Sequence, residues 1–251
     1  MISPAPTPSA RTPSTLSPAP LSRADRLARL ATARLYLCTD LQRFLRDDRL
    51  DERAFAEFCA ACFRGGVDII QVRDKHVDVP VELRALAMLV ELAREHGALS
   101  AANDRADVAQ LTGVDMFHTG QTDLSTAQCR TLLGEDVVLG RSCHTVAQVN
   151  AARTEPGLDY YCTGPVWETP TKPGRAAVGL DLPAHAARAA DHDDARPFFA
   201  IGGIDADRLS AVLETGARRI VVVRAITQAA DPEAAARTLR DALDSAPVHR
   251  P

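Results

Sequence analysis

Short apolar runs alternate along the chain with longer segments whose apolar residues recur at helical spacing. Most of the runs are apolar at nearly every position, which is typical of strands covered on both faces of a sheet. The predicted strands are Leu35–Thr39, Asp68–Arg73, Leu99–Asn103, Met116–Thr119, Val137–Cys143, Tyr160–Gly164, Pro197–Gly202 and Arg219–Arg224.

Segments with helical spacing follow almost every predicted strand, as in Val81–His96, Leu182–Ala190, Asp207–Thr215 and Pro232–Leu243. Eight strands in alternation with helices predict one α/β domain over residues 25–245, a (β/α)8 TIM barrel. An open doubly wound sheet is the alternative. It is disfavoured because no GxGxxG turn follows the first strand.

The ends of the chain differ from this pattern. Residues 1–22 are dominated by Pro, Ser, Thr and Ala and show no apolar periodicity. Such a segment cannot bury enough apolar surface to offset its loss of conformational entropy. We therefore predict a disordered tail over residues 1–24, favoured over a targeting segment, and a frayed terminus over residues 246–251.

The overall composition excludes several classes of function. A net charge of -4 gives no general attraction to nucleic acid or to an anionic membrane, and 4% aromatic residues disfavour single-strand binding. No apolar run is long enough to span a membrane, and no secretory signal is recognisable. We expect a cytoplasmic protein with small-molecule substrates and leave open whether it forms a homo-oligomer.

The six cysteines are scattered, which predicts reduced thiols. Cys59 and Cys62 have the spacing of a redox or metal motif, but no second pair or histidine cluster completes a site. They lie in a helical segment, so a packing role is favoured. Cys143 and Cys162 are also interpreted as core residues.

Polar residues follow the second predicted strand. Gln71, Arg73 and Lys75 alternate in sequence and therefore share one face of an extended segment. In a TIM barrel the carboxyl ends of the strands form the active site. Two cations and an amide at that end suit a pyrophosphate, whereas the alternative is an ordinary charged strand end.

Carboxylates follow the third and fourth predicted strands. Asp104 and Asp123 come from neighbouring strand ends, and Mg2+ prefers such hard oxygen ligands, completed by water and phosphate. The alternative is helix capping, because each residue precedes a predicted helix. Asp107 is a weaker third candidate.

Two later segments suit phosphate groups. The loop from residue 164 to 175 carries Thr169, Thr171 and Lys172, and a loop of this length can close over a site. Gly202-Gly203 and Val223-Arg224 follow the last two strands, where barrels commonly bind a phosphate monoester through backbone N–H groups.

Together these segments resemble the thiamine-phosphate synthase family over about residues 35–243. The motifs that carry the resemblance are Gln71-Val72-Arg73-Asp74-Lys75, Asn103-Asp104, Gly120-Gln121-Thr122-Asp123, Ser142-Cys143-His144-Thr145 and Thr169-Pro170-Thr171-Lys172. The family is a group of transferases that join 4-amino-5-hydroxymethyl-2-methylpyrimidine pyrophosphate to 4-methyl-5-(2-hydroxyethyl)thiazole phosphate. The products are thiamine phosphate and pyrophosphate.

The resemblance implies roles for individual residues. Arg73, Lys75, Ser142 and Lys172 would be catalytic, and Asp104 and Asp123 would hold Mg2+. The substrate-binding residues would be Gln71, Arg73, Lys75, Asn103, Ser142, Thr169, Thr171, Lys172, Gly203, Val223 and Arg224. The chain departs from the family pattern at Asp74, at Trp167-Glu168 and at Arg224, and none of these departures removes a ligand.

The chemistry implied by the resemblance is a dissociative displacement of pyrophosphate, assisted by Mg2+ and cationic side chains. It needs no strong base, so His118 and His144 are interpreted as orienting or packing residues. The rival readings are a thiazole tautomerase of the sister family, a non-catalytic phosphate-binding barrel and a phosphate-binding barrel enzyme of another pathway. The first two rivals would not need the pyrophosphate clamp together with the two acids.

Overall fold

A computed structural model describes residues 20–169, 174, 176–190 and 196–246 of the protein. Eight parallel strands form a closed barrel. In chain order they are β1 (Leu35–Thr39), β4 (Ile69–Val72), β5 (Leu99–Asn103), β6 (Met116–Thr119), β7 (Val138–Cys143), β8 (Tyr160–Thr163), β9 (Phe198–Ile201) and β10 (Ile220–Val222). A hairpin of β2 (Leu45–Arg46) and β3 (Arg49–Leu50) follows a short 3-10 helix, Gln42–Phe44.

Helices surround the barrel, and they connect the strands in the alternation that the sequence predicts. They are α1 (Arg23–Thr32), α2 (Glu52–Arg64), α3 (Val79–Glu95), α4 (Ala106–Thr112), α5 (Thr126–Leu133), α6 (Val146–Thr154), α7 (Asp181–Ala189), α8 (Leu209–Glu214), α9 (Arg224–Thr227) and α10 (Pro232–Ser245). The predicted TIM barrel is therefore confirmed. No helix within the described ranges is long and apolar enough to cross a membrane.

The core has two layers because successive side chains of a strand point to opposite faces. One layer lies between the strands and the outer helices and includes Leu37, Ile70 and Phe117. The other fills the barrel and includes Tyr36 and Tyr160. The alternation that directs these two tyrosines inward also directs the polar residues farther along the strands towards the barrel axis.

Helix α1 closes the lower end of the barrel, where the strands begin. Leu30 packs with the residues that fill the barrel, and Arg26 bonds through Nε to Oδ1 of the buried Asp115 at 3.1 Å. Ser22 caps the helix, and its side chain and that of Asp25 satisfy each other's backbone N–H groups. The predicted disordered tail is thus wrong at its inner boundary, because the helix begins at Arg23 and its cap at Ser22.

Three aspartates stand immediately before alternate strands at this lower end: Asp68, Asp115 and Asp159. Each accepts a hydrogen bond from the backbone of a neighbouring strand, at Leu35, Ser100 and Leu139 respectively. Each also pairs with arginine, through Arg240, Arg26 and Arg130. Carboxylates thereby join strand ends at the lower end.

Three other predictions need correction or lie outside the described ranges. The last strand ends at Val222 rather than at Arg224, which instead begins α9. Residues 1–19 and 247–251, most of the two predicted disordered ends, are outside the described part of the chain. Thr171 and Lys172 in the long loop are outside it as well.

Candidate active site

A cavity of about 300 Å³ opens at the carboxyl ends of the strands. Most of the predicted site residues that the structure describes line it, and those in the strands, Gln71, Asn103 and Ser142, share the inward-facing alternation of the barrel core. The predicted residues that line the cavity are Gln71, Arg73, Asn103, Ser142, Thr169, Gly203, Val223 and Arg224. The sequence therefore brings the residues of six separate segments to one mouth of the barrel.

Cations lie on one side of this mouth. Arg73 and Arg224 line both the cavity and an adjoining opening, which Lys75 also lines. Asp74, between the two predicted cations, points away and accepts hydrogen bonds from Leu41 N at 3.0 Å and from the Gln42 side chain. This aspartate fixes the loop after β1 against the loop that carries Arg73 and Lys75.

Asp104 is placed beside Lys75 by an unusual backbone conformation. Its φ is 59°, in the left-handed region, and its N–H bonds to the carbonyl oxygen of His118 at 3.1 Å. Lys75 Nζ lies 3.2 Å from Asp104 Oδ2. The left-handed conformation is uncommon outside glycine, and aspartate tolerates it better than most residues do.

The carboxylate of Asp104 is also close to that of Asp123. Burial raises the pKa of Asp104, the Lys75 ammonium lowers it, and the neighbouring Asp123 carboxylate raises it. The net direction is upward. Two neighbouring carboxylates repel each other when both are ionised, and a bound cation would relieve that repulsion.

Neither carboxylate caps a helix, so the alternative interpretation of these residues is wrong. Helix α4 has Arg105 at its N-cap position, and α5 has Ser125 there. Asp123 instead accepts the Gly120 N–H at 2.7 Å, which closes the turn after β6.

Asp107 lies apart from the pair. Its carboxylate hydrogen-bonds to Arg105, at 2.6 Å from Nη2, and this bond lowers its pKa to about 2. Within the described ranges no group of three or more His, Cys, Asp or Glu side chains could hold a metal ion. Asp104 and Asp123 could supply two oxygen ligands, which would fit Mg2+ if water and phosphate oxygens completed its coordination.

An amide pair lies at the floor of the cavity. The Gln71 Nε2 donates to Asn103 Oδ1 at 3.0 Å, and both residues are buried. This bond fixes both amides and leaves the Gln71 carbonyl oxygen and the Asn103 NH2 group oriented for a ligand. One acceptor and one donor on a rigid floor can distinguish the edge of a heteroaromatic ring.

Ser142 ends a buried chain of hydrogen bonds that the sequence analysis did not find. His118 lies between Ser142 Oγ, at 2.9 Å from Nε2, and the Tyr160 hydroxyl, at 3.0 Å from Nδ1. The Tyr160 hydroxyl is in turn 3.3 Å from that of Tyr36. The spacing within each strand placed these residues inside the barrel, but no local signal pairs Tyr36 with Tyr160.

Backbone approaches shape the opposite wall. Gly203 has a φ of +70°, and a Cβ atom there would lie 2.9 Å from Trp167 Cβ. Trp167 donates its backbone N–H to the Gly202 oxygen at 3.1 Å. Arg208 lies 5.2 Å above the Trp167 ring and bonds to the Gly203 oxygen. Trp167, a departure from the family pattern, therefore holds the glycine turn that lines the cavity.

The cysteines divide between packing and the cavity. Cys59 and Cys62 are buried in the outer core, and burial raises the pKa of Cys62 to about 12, so they lack the acidity of a redox pair. Cys143 is also in that core, whereas Cys162 lines the cavity together with Cys38. None of the six cysteines forms a disulfide.

Comparisons with known proteins point to one group. The family model described as "Thiamine monophosphate synthase" matches residues 35–226. A thiamine-phosphate synthase of Saccharopolyspora erythraea is 53% identical over 221 residues, which cover 86% of this chain and 95% of the relative. One of Streptomyces avermitilis is 53% identical over 208 residues, 83% and 92% of the two chains. Among solved structures, thiamine phosphate pyrophosphorylase from Pyrococcus furiosus has a TM-score of 0.73 at 26% identity, covering 88% and 98% of the chains.

Proposed function

The chain belongs to the thiamine monophosphate synthase family and is a transferase, and we propose that it joins a pyrimidine pyrophosphate to a thiazole phosphate. The substrates are 4-amino-5-hydroxymethyl-2-methylpyrimidine pyrophosphate and 4-methyl-5-(2-hydroxyethyl)thiazole phosphate. The products are thiamine phosphate and pyrophosphate.

One observation carries this proposal: cations and paired carboxylates meet at one mouth of the barrel. Lys75 lies 3.2 Å from Asp104, which lies beside Asp123, and Arg73 lines the same mouth. A clamp for a single phosphate monoester needs no such pair of acids. A pyrophosphate bound with Mg2+ would use both signs of charge, since the carboxylates would hold the ion and the cationic side chains would bind the phosphate oxygens.

Asp104 and Asp123 are the residues that would hold Mg2+. When bound there, the ion would neutralise charge on the pyrophosphate and so make it a better leaving group. Arg73, Lys75 and Lys172 would supply the remaining positive charge. We propose that Gln71 and Asn103 also contact the pyrimidine pyrophosphate, through the amide groups that their mutual hydrogen bond orients.

The bond between the pyrimidine's exocyclic carbon and the pyrophosphate breaks first. The electron pair of this carbon–oxygen bond leaves with the pyrophosphate oxygen. The electron-rich aminopyrimidine stabilises the cation that remains on the carbon. The side chains of Arg73 and Lys75 stabilise the negative charge that develops on the pyrophosphate oxygen, because they are already in place before the bond breaks. The thiazole nitrogen then attacks the carbon, and Ser142 contacts the pyrimidine substrate.

The thiazole phosphate would lie on the opposite wall. Thr169 and Thr171 would bind it through their hydroxyl groups, and Gly203, Val223 and Arg224 would bind it through backbone N–H groups and the guanidinium. Gly203, Val223 and Arg224 follow the last two barrel strands, and α9 is a short extra helix of the kind that often borders a phosphate site.

The rival tautomerase reaction would use a base. His118 is engaged at both ring nitrogens by Ser142 and Tyr160, and His144 Nδ1 bonds to the Gly164 oxygen. These contacts favour an orienting role for both histidines. We further propose that the enzyme works in the cytoplasm on small molecules, as its reduced thiols suggest, and leave a homo-oligomer open.

The direct test is product formation by metal-depleted protein. Incubation with both substrates and Mg2+ should give thiamine phosphate, detected by fluorescence after oxidation, with one pyrophosphate released per product. Omission of either substrate, or of Mg2+, should abolish the signal. Isomerisation of a thiazole precursor without the pyrimidine would support the tautomerase instead, and full activity in EDTA would remove Mg2+ from the proposal.

A further inference from the structure

The chain of hydrogen bonds beneath the cavity runs through Tyr36, Tyr160, His118 and Ser142. Its links measure 3.3, 3.0 and 2.9 Å in that order. All four residues are buried inside the barrel, and Tyr36, His118 and Ser142 also line the cavity. The chain connects the centre of the barrel to the place where the pyrimidine substrate would bind.

The hydrogen bonds in this chain have a preferred donor-to-acceptor direction. A buried donor without an acceptor costs more free energy than a buried acceptor with an unused lone pair. The Tyr160 hydroxyl is the partner that the structure gives the Tyr36 hydroxyl. If Tyr36 donates to Tyr160, both phenol hydrogens and the ring hydrogen of His118 have acceptors within the chain, and the Ser142 hydrogen faces the cavity. In the reverse direction the Tyr36 hydrogen would have no acceptor within the chain and would lie among the apolar residues of the inner core, such as Phe199.

This direction fixes the state of each later member. Tyr160 donates to His118 Nδ1, so the neutral imidazole carries its proton on Nε2. The Nε2–H group donates to Ser142 Oγ. The serine oxygen is then an acceptor within the chain, and its own hydrogen is directed to a group in the cavity.

The rings that carry the chain have little freedom to move. A Cβ atom at Gly140 would lie 2.0 Å from Cζ of Tyr160, so the absent side chain at that position makes room for the tyrosine ring. Phe199 packs edge-on against Tyr36 at 5.5 Å and against Tyr160 at 5.9 Å between ring centroids. Packed rings of this kind favour a fixed hydrogen-bond geometry over an adaptable one.

We propose that Tyr36, Tyr160 and His118 are positioning residues that hold the Ser142 hydroxyl as a hydrogen-bond donor to the pyrimidine pyrophosphate. This inference rests on the proposed function for the identity of the ligand. The direction of the chain is a property of the protein alone. It also explains why a buried histidine at the cavity does not act as a base: its Nδ1 lone pair is used by Tyr160.

The first measurement is the tautomer of His118 by 15N NMR of histidine-labelled protein at about pH 8, above the ordinary imidazole pKa. The resonance is assigned with a His118→Gln variant. We expect the proton on Nε2 in the wild type. In Tyr160→Phe the Nδ1 loses its donor, so the shifts of the two ring nitrogens should move towards each other. A proton on Nδ1 in the wild type, or unchanged shifts in Tyr160→Phe, would overturn the proposal.

Tyr161→Phe is a matched control for this substitution. Tyr161 is the next residue of the same strand and is also buried, but it faces the outer helices and stacks on Phe198 at 5.8 Å. Loss of its hydroxyl should leave the His118 resonances unchanged. If Tyr160→Phe folds poorly, Tyr36→Phe should change the same resonances in the same direction by a smaller amount.

The second measurement is a double-mutant cycle in the synthase assay. Tyr160→Phe should lower kcat about tenfold, the effect of one misdirected hydrogen bond, and leave the KM for the thiazole phosphate unchanged. In a Ser142→Ala background the same change should lower kcat by less than about twofold, because Tyr160 acts through Ser142. Equal losses in both backgrounds would overturn the positioning role. Absence of any synthase activity in the wild type would instead refute the proposed function and leave the NMR result standing.

Discussion

The two ends of the barrel use aspartates in opposite ways. At the lower end Asp115 is fully buried and accepts hydrogen bonds from Arg26 and from Ser100, so its charge is matched within the protein. At the upper end burial and a second carboxylate raise the pKa of Asp104, and Lys75, its cationic partner among the described residues, is more than half exposed. The lower end is complete without a ligand, whereas the upper end has a charge arrangement that a ligand and a metal ion would balance. In a TIM barrel this difference separates the stabilising face from the catalytic face.

The largest effect should come from breaking a pair at the lower end. Asp115→Ala leaves the Arg26 charge and the Ser100 donors buried without their partner, and should lower the free energy of unfolding by about 3–5 kcal/mol. Urea unfolding measures this, and kcat per folded molecule should stay unchanged.

Asp244→Ala is the control for this comparison. Asp244 pairs with Arg34 and Arg240 but its side chain is 48% exposed, so its loss should cost at most about 1 kcal/mol. If the two variants lost similar amounts of unfolding free energy, burial would not distinguish the aspartate–arginine pairs at the lower end from exposed surface pairs.

The reverse pattern is expected at the upper end. Asp104→Ala and Asp123→Ala should each lower kcat at least about 100-fold, roughly 2.7 kcal/mol, because the proposed Mg2+ site would lose one of its two carboxylate ligands. The melting temperature should fall by only a few degrees, because the removed repulsion between carboxylates partly offsets the cost of alanine at the left-handed Asp104 and of the lost Gly120 bond at Asp123. Asp107→Ala, which removes an exposed aspartate paired with Arg105, should leave both quantities unchanged. If Asp107→Ala lost activity while its melting temperature stayed unchanged, the proposed assignment of the metal site to Asp104 and Asp123 would be contradicted.

Lys172 should act on the chemical step rather than on binding. Negative charge moves onto the departing oxygen as the bond breaks, so a cation aimed there interacts most strongly in the transition state. Lys172→Ala should therefore lower kcat on the order of 100-fold. Thr169→Val should mainly raise the KM for the thiazole phosphate, whose charge does not change. Kinetics with each substrate varied separately measure both, and a rise only in KM for Lys172→Ala would make the lysine a binding group.

The smallest effects concern the beginning of the chain. Deletion of residues 1–19 should leave stability and kcat nearly unchanged, because that composition supports no packed core. Deletion of residues 1–22 also removes the Ser22 cap of α1 and should cost about 1 kcal/mol. Thermal unfolding of the two truncated proteins distinguishes them. A large loss on deleting residues 1–19 would mean that this segment packs on the barrel.

Most of the barrel could be predicted from the sequence because its signals are local. Continuous apolar runs locate the strands, and their predicted ends are wrong by only one or two residues, as at Asp68 and Arg219, where polar residues flank the run. Of the residues that line the cavity, Gln71 and Arg73 followed from alternation along their strand, whereas the role of Ser142 came from the family resemblance. Chemistry that depends on a single segment, such as Gln71 with Arg73, was therefore within reach.

What the sequence did not reveal depends on distance along the chain. Tyr36 and Tyr160 are 124 residues apart, and no spacing rule pairs them. The left-handed backbone at Asp104, which turns its carboxylate towards Lys75, has no signature in a single sequence. Nor could composition show that Ser22 to Thr32 forms a capped helix that closes the barrel, because its apolar residues are few and its anchors lie far along the chain.

The seating of α1 also has a consequence for how the protein is made. The helix is synthesised before the barrel strands, yet its hydrogen-bond partners are Ala98, Asp115, Asp136 and Asp159, which lie 69 to 136 residues farther along the chain. On the ribosome, α1 therefore cannot form these contacts until the chain up to Asp159, immediately before β8, has been synthesised. During that interval Leu30 is available to chaperones and to other nascent chains, and such long-range closure is a slow step in folding.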